Sequence, residues 1–190
     1  DLDLVPIIDK IIFDCPNIEK LVILCSKADL PSTKFSEVIS YEELLSMGSE
    51  NFEWINGEET DACGICYTSG TTGNPKGVVY THRSNTLHAL TQAAPDMLNL
   101  SSTDTIMPVV PLFHANGWSI AYTAPLVGSS IVFPGGDLSP SSLYDMLERG
   151  VTITAAVPTV WLLLLNFLES EKKELSSLKR VVIGLSLIHI

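Results

Sequence analysis

The sequence predicts an α/β fold with mixed sheets joined by helical crossovers, and three observations support this prediction. The 190-residue chain is 46% hydrophobic and 17% charged, a composition typical of a globular domain with a substantial apolar core. Apolar runs of strand length alternate along it with segments of helical periodicity. It contains no internal repeat and no low-complexity linker, so one domain or part of one is the simplest organisation.

Strands are predicted where short apolar runs are bounded by polar or glycine-rich segments. The predicted strands are 21–26, 62–67, 77–80, 105–110, 130–133, 151–156 and 180–184. Residues 46–61 are rich in glycine, asparagine and acidic side chains, so we expect a surface connection there. A glycine-rich loop separates the second strand from the third.

Helices are predicted where apolar residues recur at helical spacing after a capping residue. Ser84 or Asn85 is expected to cap one helix. Ser139 is expected to cap another, with Pro140 at its first position and Gly150 at its end. The predicted helices are 41–45, 84–98, 139–150 and 158–168, and an apolar, helix-like segment spans 116–127.

Composition and charge argue against several classes of function. With 22 acidic and 11 basic side chains the formal charge is −11, and the basic residues form no stripe along which a nucleic acid could bind. No apolar stretch approaches the length of about 18 residues that a membrane span needs, and 160–168 is interrupted by Asn166. The amino terminus has no initiator Met and no basic segment followed by an apolar one, so we expect a cytoplasmic protein.

The four cysteines are too few for a disulfide framework in a chain of this length. Cys25, Cys63 and Cys66 lie in apolar runs, which favours buried, reduced thiols. The spacing of Cys63 and Cys66 also fits a redox pair. Such a pair is usually activated by a helix amino terminus, whereas here an apolar stretch leads into a loop.

The loop at 68–77 has the composition of a phosphate-binding segment. It packs four hydroxyl side chains, three glycines and Lys76 into ten residues directly after an apolar strand. Glycines let main-chain N–H groups approach a polyphosphate, hydroxyls donate hydrogen bonds or ligate Mg²⁺, and a lysine supplies positive charge. A Ser/Thr/Gly-rich turn without any ligand is the alternative.

The loop does not fit the P-loop of kinases and GTPases. In a P-loop the lysine is followed by Ser or Thr and then by a helix. Here Lys76 follows Pro75 and precedes Gly77, and a strand is predicted next. The loop therefore belongs to another class of phosphate-binding segment.

Residues 67–78 resemble the first core motif of the adenylate-forming superfamily, which includes acyl-CoA synthetases, amino-acid adenylation domains and beetle luciferases. Residues 111–118 resemble the next core segment, in the form found in fatty acyl-CoA synthetases. Four flanking segments agree with that branch: 41–45, 52–54, 62–67 and 157–161. We therefore expect residues 1–184 to be an internal fragment of the AMP-binding amino-terminal domain, and 185–190, where the resemblance ends, to be an atypical tail.

The resemblance implies a two-step reaction. ATP and a carboxylate give an acyl-adenylate and pyrophosphate, and the thiol of CoA then displaces AMP to give a thioester. It also implies that Thr68 ligates Mg²⁺, and that Lys76 and His114 are the catalytic residues, with His114 beside the carboxylate and the α-phosphate. The residues implied to bind ATP are Thr68, Ser69, Gly70, Thr71, Thr72, Gly73 and Lys76.

The same resemblance implies which residues bind the acid. Phe113 and His114 would close one wall of the carboxylate pocket, and Trp118 would be a gate whose indole closes the acyl tunnel until ATP binds. From the residues alone, His114 could also be a hydrogen-bonded histidine in a turn, and Trp118 a core tryptophan. His82 and His88 are given no functional role, because their spacing does not put both on one helix face for a metal.

The reaction partners implied by the resemblance are a medium- or long-chain fatty acid, ATP and CoA, and a homodimer of the full-length protein is compatible with it. Two alternatives stay open: an adenylate-forming ligase for an aryl or small carboxylate, and a non-catalytic nucleotide-binding remnant. The family's acidic Mg²⁺ partner, ribose-binding aspartate and adenylating lysine have no match in this chain. We therefore expect the 190-residue chain by itself to be inactive.

Overall fold

The computed structural model describes residues 2–68 and 74–184. The chain forms two compact units, Asp1–Asn56 and Gly57–Ile190. Both contain helices and strands, and the strands pair in parallel and antiparallel fashion, which confirms the predicted α/β fold with mixed sheets. The predicted tail at 185–190 and the loop residues 69–73 lie outside the described residues.

The first unit contains a small parallel sheet and two helices. Ser40 and Glu43 form a capping box, in which Ser40 Oγ accepts a hydrogen bond from Glu43 N at 3.1 Å and Glu43 Oε2 accepts one from Ser40 N at 3.2 Å. The predicted helix at 41–45 is confirmed, whereas the first strand ends three residues before the predicted boundary. The elements are helix α1 (Val5–Ile11), strands β1 (Leu21–Ile23) and β2 (Val38–Ser40), and helix α2 (Tyr41–Ser46).

The second unit opens with an antiparallel hairpin of strands β3 (Ala62–Thr68) and β4 (Lys76–Thr81). Thr68 pairs directly with Lys76, so the two ends of the glycine-rich loop are cross-strand neighbours. Both predicted strands are confirmed. A strand rather than a helix follows the loop, which agrees with its distinction from a P-loop.

The cysteines are free thiols, but their predicted burial is wrong. Cys63 is exposed, and Cys25 and Cys66 are partly exposed. For Cys63 and Cys66 the reason is that β3 and β4 form a two-stranded ribbon with mostly exposed side chains. An apolar run in such a ribbon does not indicate a strand enclosed on both faces.

Helix α3 (His82–Ala93) follows β4 without a loop. Its cap is Thr81, and not Ser84 or Asn85 as predicted: Thr81 Oγ1 accepts a hydrogen bond from Ser84 N at 3.1 Å, and Ser84 Oγ accepts one from Thr81 N at 3.0 Å. The predicted extension to residue 98 is also wrong. Pro95 disfavours helical geometry at the preceding residue, and Ala94 is accordingly extended.

A four-stranded parallel sheet forms the centre of the second unit. Its strands are β5 (Thr105–Pro108), β6 (Ser130–Ile131), β7 (Ile153–Ala156) and β8 (Arg180–Ile183), in the spatial order β6-β5-β7-β8. All four predicted strands are confirmed, each shorter than predicted. Single backbone hydrogen bonds continue past the ends of two strands, from Val109 N to Ala155 O at 2.8 Å and from Val132 N to Ile106 O at 2.9 Å, so the apolar runs extend beyond the regular pairing.

Helical segments join each strand of this sheet to the next. Within the described residues, no helix has both the length and the apolar character that crossing a membrane requires. Ser139 caps the helix before β7 as predicted, and Pro140 is its first residue. The segments are α4 (Ala115–Trp118) and α5 (Ile120–Val127) between β5 and β6, α6 (Pro140–Leu147) before β7, and α7 (Pro158–Glu171) before β8.

The parallel sheet is covered on both faces. Met107 and Ala156 face α6 and α7, whereas Ile106 and Ile153 belong to the cluster that packs on α5. This alternation follows from the opposite directions of successive side chains in a strand. Because both faces are covered, all four residues of β7 are buried.

A buried carboxylate joins the amino ends of three strands of this sheet. Asp104 immediately precedes β5 and is only 6% exposed. Its oxygens accept hydrogen bonds from Arg180 Nη2 at 2.7 Å, Thr152 Oγ1 at 2.8 Å and both Ser101 N and Oγ at 3.0 Å. Arg180 also donates to the carbonyl oxygen of Asn99 at 2.6 Å. The network therefore fixes β5, β7 and β8 relative to one another.

Burial acts to raise the pKa of the Asp104 carboxyl, but the hydrogen bonds from Arg180, Thr152 and Ser101 outweigh it and hold this pKa below its usual value. Because folding lowers the pKa, the stability that the carboxylate contributes is fully present above the unfolded value of about 3.9. That contribution is lost as the pH falls through the lower, folded pKa.

We expect Asp104→Asn to lower the free energy of unfolding by about 2–4 kcal/mol at pH 7, because it leaves the Arg180 guanidinium without its charged partner. Urea unfolding of the full-length protein and the variant would measure this. The difference between the two proteins should shrink below about pH 4. A difference that stays constant down to pH 3 would contradict an ionic role for Asp104.

Candidate active site

A cavity of about 730 Å³ opens in the second unit, where strand β8 ends and the segment after β5 begins. The carboxyl ends of parallel strands are the usual ligand-binding edge of such sheets. Helix α3, the segment after β5 and strand β8 each contribute to its wall. The lining residues are His88, Gln92, Met97, Leu98, His114, Ala115, Trp118, Val181, Val182, Ile183 and Gly184. We call this the edge cavity.

The segment that delivers His114 and Trp118 to the edge cavity has an unusual backbone. Residues 115–119 all have positive φ angles, between 44° and 62°, and only Gly117 among them is a glycine. Main-chain hydrogen bonds from Gly117 N to His114 O and from Ser119 N to Ala115 O, both 3.0 Å, close this left-handed turn. For L-residues the conformation costs about 1–2 kcal/mol per residue. The surrounding structure must therefore hold the turn in place.

Gly117 has a positive φ angle of 62° and lies against the side chain of Leu112. A Cβ atom at this position would lie 2.9 Å from Leu112 Cδ2. The side chain of Leu112 therefore packs against the bare backbone of the turn, and a larger residue at position 117 would displace this exposed side chain.

Two polar side chains from other elements hold the left-handed turn. Gln92 of α3 is buried, and its Nε2 donates to the carbonyl oxygen of Trp118 at 2.6 Å. Cys66 of β3 donates from Sγ to Asn116 Oδ1 at 3.6 Å. The second contact joins the strand that leads into the glycine-rich loop to the turn that carries His114, although the two are 50 residues apart in sequence.

The indole of Trp118 packs against the end of β8. A Cβ atom on Gly184 would lie 2.8 Å from Trp118 Cη2 and 3.0 Å from Cζ2, so the ring occupies the space that a side chain at residue 184 would need. Trp118 is partly buried and contacts the apolar cluster beneath α5. Its ring therefore forms part of the wall of the edge cavity and is not enclosed in the core.

The predicted phosphate-binding residues lie on the hairpin. Thr68 is the last residue of β3 and Lys76 the first of β4, and both are exposed. Paired residues of an antiparallel ribbon project their side chains from the same face, with Cβ atoms about 4.5–5.5 Å apart. The two side chains therefore start from the same face of the hairpin at the base of the loop. Five further predicted ATP-binding residues lie outside the described residues: Ser69, Gly70, Thr71, Thr72 and Gly73.

The three predicted acid-binding residues differ in position. His114 and Trp118 line the edge cavity, at the two ends of the left-handed turn. Phe113 is 78% exposed and is not among the residues that line the cavity. The structure thus places the imidazole and the indole at one cavity and Phe113 away from it, and the acid-binding roles of all three stay predictions.

Sequence reasoning missed two residues of this site, His88 and Gln92. They are four residues apart on α3, which places both on the helix face toward the edge cavity. That spacing, on a helix that directly follows the hairpin, is the pattern that could have identified them. His82 lines a separate cavity of about 420 Å³, together with Cys63 and Asn85.

Among the described residues, no group of three or more His, Cys, Asp or Glu side chains could hold a metal ion. Thr68 is the one predicted Mg²⁺ ligand, and it would supply a single hydroxyl oxygen. That donor set fits a Mg²⁺ ion held mainly by the phosphates of a bound nucleotide and by water, as is usual for this ion.

Comparison with curated proteins gives relatives that cover most of this chain. It is 44% identical to the medium-chain-fatty-acid–CoA ligase of Ectopseudomonas oleovorans over 94% of the chain and 33% of that protein. It is 42% identical to the long-chain-fatty-acid–CoA ligase of Thermus thermophilus over 97% of the chain and 32% of that protein. The chain thus spans about a third of the length of these relatives.

Solved structures share the fold. The crystal structure of the anthranilate CoA ligase AuaEII in complex with anthranoyl-AMP matches 97% of this chain and 35% of its own length, with a TM-score of 0.79 and 24% sequence identity. The family model for AMP-binding enzymes matches residues 10–188. On this match over nearly the whole chain, and on the identities to its relatives, the chain belongs to the AMP-binding enzyme family.

Proposed function

We propose that this chain is part of an ATP-dependent acid–CoA ligase, and that the acid is a medium- or long-chain fatty acid. The contact between Cys66 and Asn116 carries the proposal, because it joins the strand before the glycine-rich loop to the turn of His114 and Trp118. A phosphate-binding segment next to a largely apolar cavity is the arrangement that acid adenylation needs. The names of the two bacterial relatives support the choice of a fatty acid.

The first step joins two anions. A carboxylate oxygen attacks the α-phosphorus of ATP, the bond from that phosphorus to the bridging oxygen of the β-phosphate breaks, and pyrophosphate leaves. Donors fixed before the reaction must offset the charge that develops. Lys76 would supply a positive charge to the phosphates, and His114 a ring N–H beside the carboxylate and the α-phosphate.

Mg²⁺ would neutralise part of the phosphate charge when it is bound. Thr68 would give the ion one hydroxyl ligand, next to Lys76 at the base of the loop. The two side chains would hold the polyphosphate on one face of the hairpin, with its α-phosphate toward the left-handed turn. ATP and Mg²⁺ are thus proposed ligands of this chain.

The second step transfers the acyl group. The sulfur of CoA attacks the acyl carbon, the carbon–oxygen bond to the phosphate breaks, and AMP leaves with the electron pair. We place the residues that bind adenine, ribose and CoA, and the adenylating lysine, outside this chain. The proposed enzyme is cytoplasmic and acts in fatty-acid metabolism.

The test is acid-dependent exchange of radioactive pyrophosphate into ATP by the full-length protein. We expect exchange with octanoate or palmitate and little with propionate or benzoate, and no exchange by the 190-residue chain alone. Exchange with benzoate only would favour the aryl-acid alternative. No exchange with any acid, despite ATP binding, would favour a non-catalytic nucleotide-binding protein.

Lys76→Ala should raise the KM for ATP or lower kcat/KM for ATP by about ten- to a hundredfold, because one charge-assisted contact with phosphate contributes about 1.5–3 kcal/mol. Folding should be unaffected, since Lys76 is exposed. Lys20→Ala removes an exposed lysine from the other unit and is the matched control. Wild-type use of ATP by Lys76→Ala would exclude the loop from phosphate binding.

Trp118→Ala tests the proposed gate. If the indole closes the cavity until ATP binds, a non-hydrolysable ATP analogue should raise the affinity of the wild-type protein for palmitate, within the range of about 5- to 150-fold typical of coupled sites. The variant should bind palmitate equally well with and without the analogue, and should bind the analogue as the wild type does. Trp54→Ala, at an exposed tryptophan of the first unit, is the control. Equal coupling in Trp118→Ala and the wild type would identify Trp118 as a wall residue only.

A further inference from the structure

We infer that Gln92 is a positioning residue, whose buried carboxamide holds the left-handed turn at 115–119 and thereby fixes His114 and Trp118 at the edge cavity. The inference rests on the proposed function for its consequence in catalysis, but its structural part can be tested without activity. Gln92 lies on α3, a helix that belongs to neither of the two sequence motifs.

Both ends of the Gln92 carboxamide are engaged. Nε2 donates to the carbonyl oxygen of Trp118 at 2.6 Å, and Oε1 accepts from Thr123 Oγ1 at 3.3 Å. Thr123 Oγ1 also lies 3.0 Å from the carbonyl oxygen of Ser119. Gln92 thus holds one carbonyl group of the turn directly, that of Trp118, and shares the single hydroxyl proton of Thr123 with the next carbonyl group, that of Ser119.

The second N–H of the carboxamide has a partner as well. Gln92 Nε2 lies 3.2 Å from His88 Nε2. Because an amide nitrogen can only donate, His88 Nε2 must accept, which places the proton of a neutral imidazole on Nδ1. Rotating the carboxamide by half a turn would put its oxygen against the Trp118 carbonyl oxygen. The network therefore specifies a single orientation of Gln92.

Loss of this carboxamide would release a backbone that is held in a disfavoured conformation. All five residues of the turn have positive φ, so relaxation toward ordinary φ values would reorient the peptide planes between His114 and Trp118. Both side chains that line the cavity at the ends of the turn would then move. The phosphate-binding hairpin would keep its own strand pairing.

Gln92→Met and Gln92→Glu separate the contributions of the carboxamide. Methionine keeps the volume and removes every hydrogen bond, whereas an ionised glutamate can accept from Thr123 but cannot donate to Trp118. Asn85→Leu is the matched control. Asn85 is also a buried amide of α3, but it donates to Cys63 Sγ at 3.1 Å and lines the other cavity.

The variants are made in the full-length protein, and two quantities are measured. In pyrophosphate exchange with octanoate, we expect kcat/KM for the acid to fall about ten- to a hundredfold in both Gln92 variants, as a displacement of about 1 Å can cause. The KM for ATP should stay within about twofold of the wild-type value, since the hairpin is untouched. Asn85→Leu should leave both constants near wild type.

The second quantity is the fluorescence of Trp118, measured in full-length protein that also carries Trp54→Phe, Trp161→Phe and phenylalanine in place of any tryptophan outside this chain. We expect both Gln92 variants to show greater acrylamide quenching of Trp118, while Asn85→Leu does not. If exchange is absent from the wild type as well, the proposed function fails and quenching alone decides the inference. Unchanged quenching in the Gln92 variants would overturn the inference. It would also be overturned if Asn85→Leu lost as much activity as the Gln92 variants while losing the same thermal stability.

Discussion

The position of the candidate site depends on one buried carboxylate at the opposite edge of the parallel sheet. Asp104 binds Arg180 and Thr152, so β5, β7 and β8 begin at fixed heights. Strands that start in register and have four residues each also end in register. His114 after β5 and Gly184 after β8 can therefore meet at one cavity. Removing one partner of a buried ion pair leaves the other charge unpaired, which is costly. The pair therefore keeps the amino ends of these strands in one arrangement.

The carboxyl edge of the sheet has the opposite character. Here the backbone enters a left-handed turn of five residues, which is intrinsically unfavourable and is stabilised by side chains from elsewhere in the fold. Gln92 and Cys66 reach it from α3 and β3. Strain of this kind is common where a protein must present side chains in one orientation. The packed sheet thus offsets the unfavourable backbone conformation of the turn that presents His114 and Trp118.

The sequence predicts much of this fold because its apolar periodicity is strong. The strands of the sheet, the hairpin and the Ser139 cap are all evident from local patterns. Local patterns predict Ser84 or Asn85 as the cap of α3, because both are good capping residues, but Thr81 accepts the hydrogen bond from Ser84 N and is the cap. The left-handed turn could not be predicted, since four of its residues are not glycine and tertiary contacts hold it. For the same reason Gln92 escaped notice: its partner is a backbone carbonyl 26 residues away.

The contact between Cys66 and Asn116 would give the proposed gate at Trp118 a physical route. Cys66 lies two residues before Thr68, on the strand whose end carries the glycine-rich loop, and Asn116 lies inside the turn. A thiol is a weak donor and 3.6 Å is the length of a weak hydrogen bond, so this link could adjust to a small movement of the hairpin. The link from Gln92 to Trp118 is short and buried, and it resists such adjustment. The turn is thus tied loosely to the hairpin at Asn116 and firmly to α3 at the Trp118 carbonyl group. Under the proposed function, a small movement of the hairpin would act on the strained backbone at Asn116, two residues before Trp118, and could change the direction in which the indole projects.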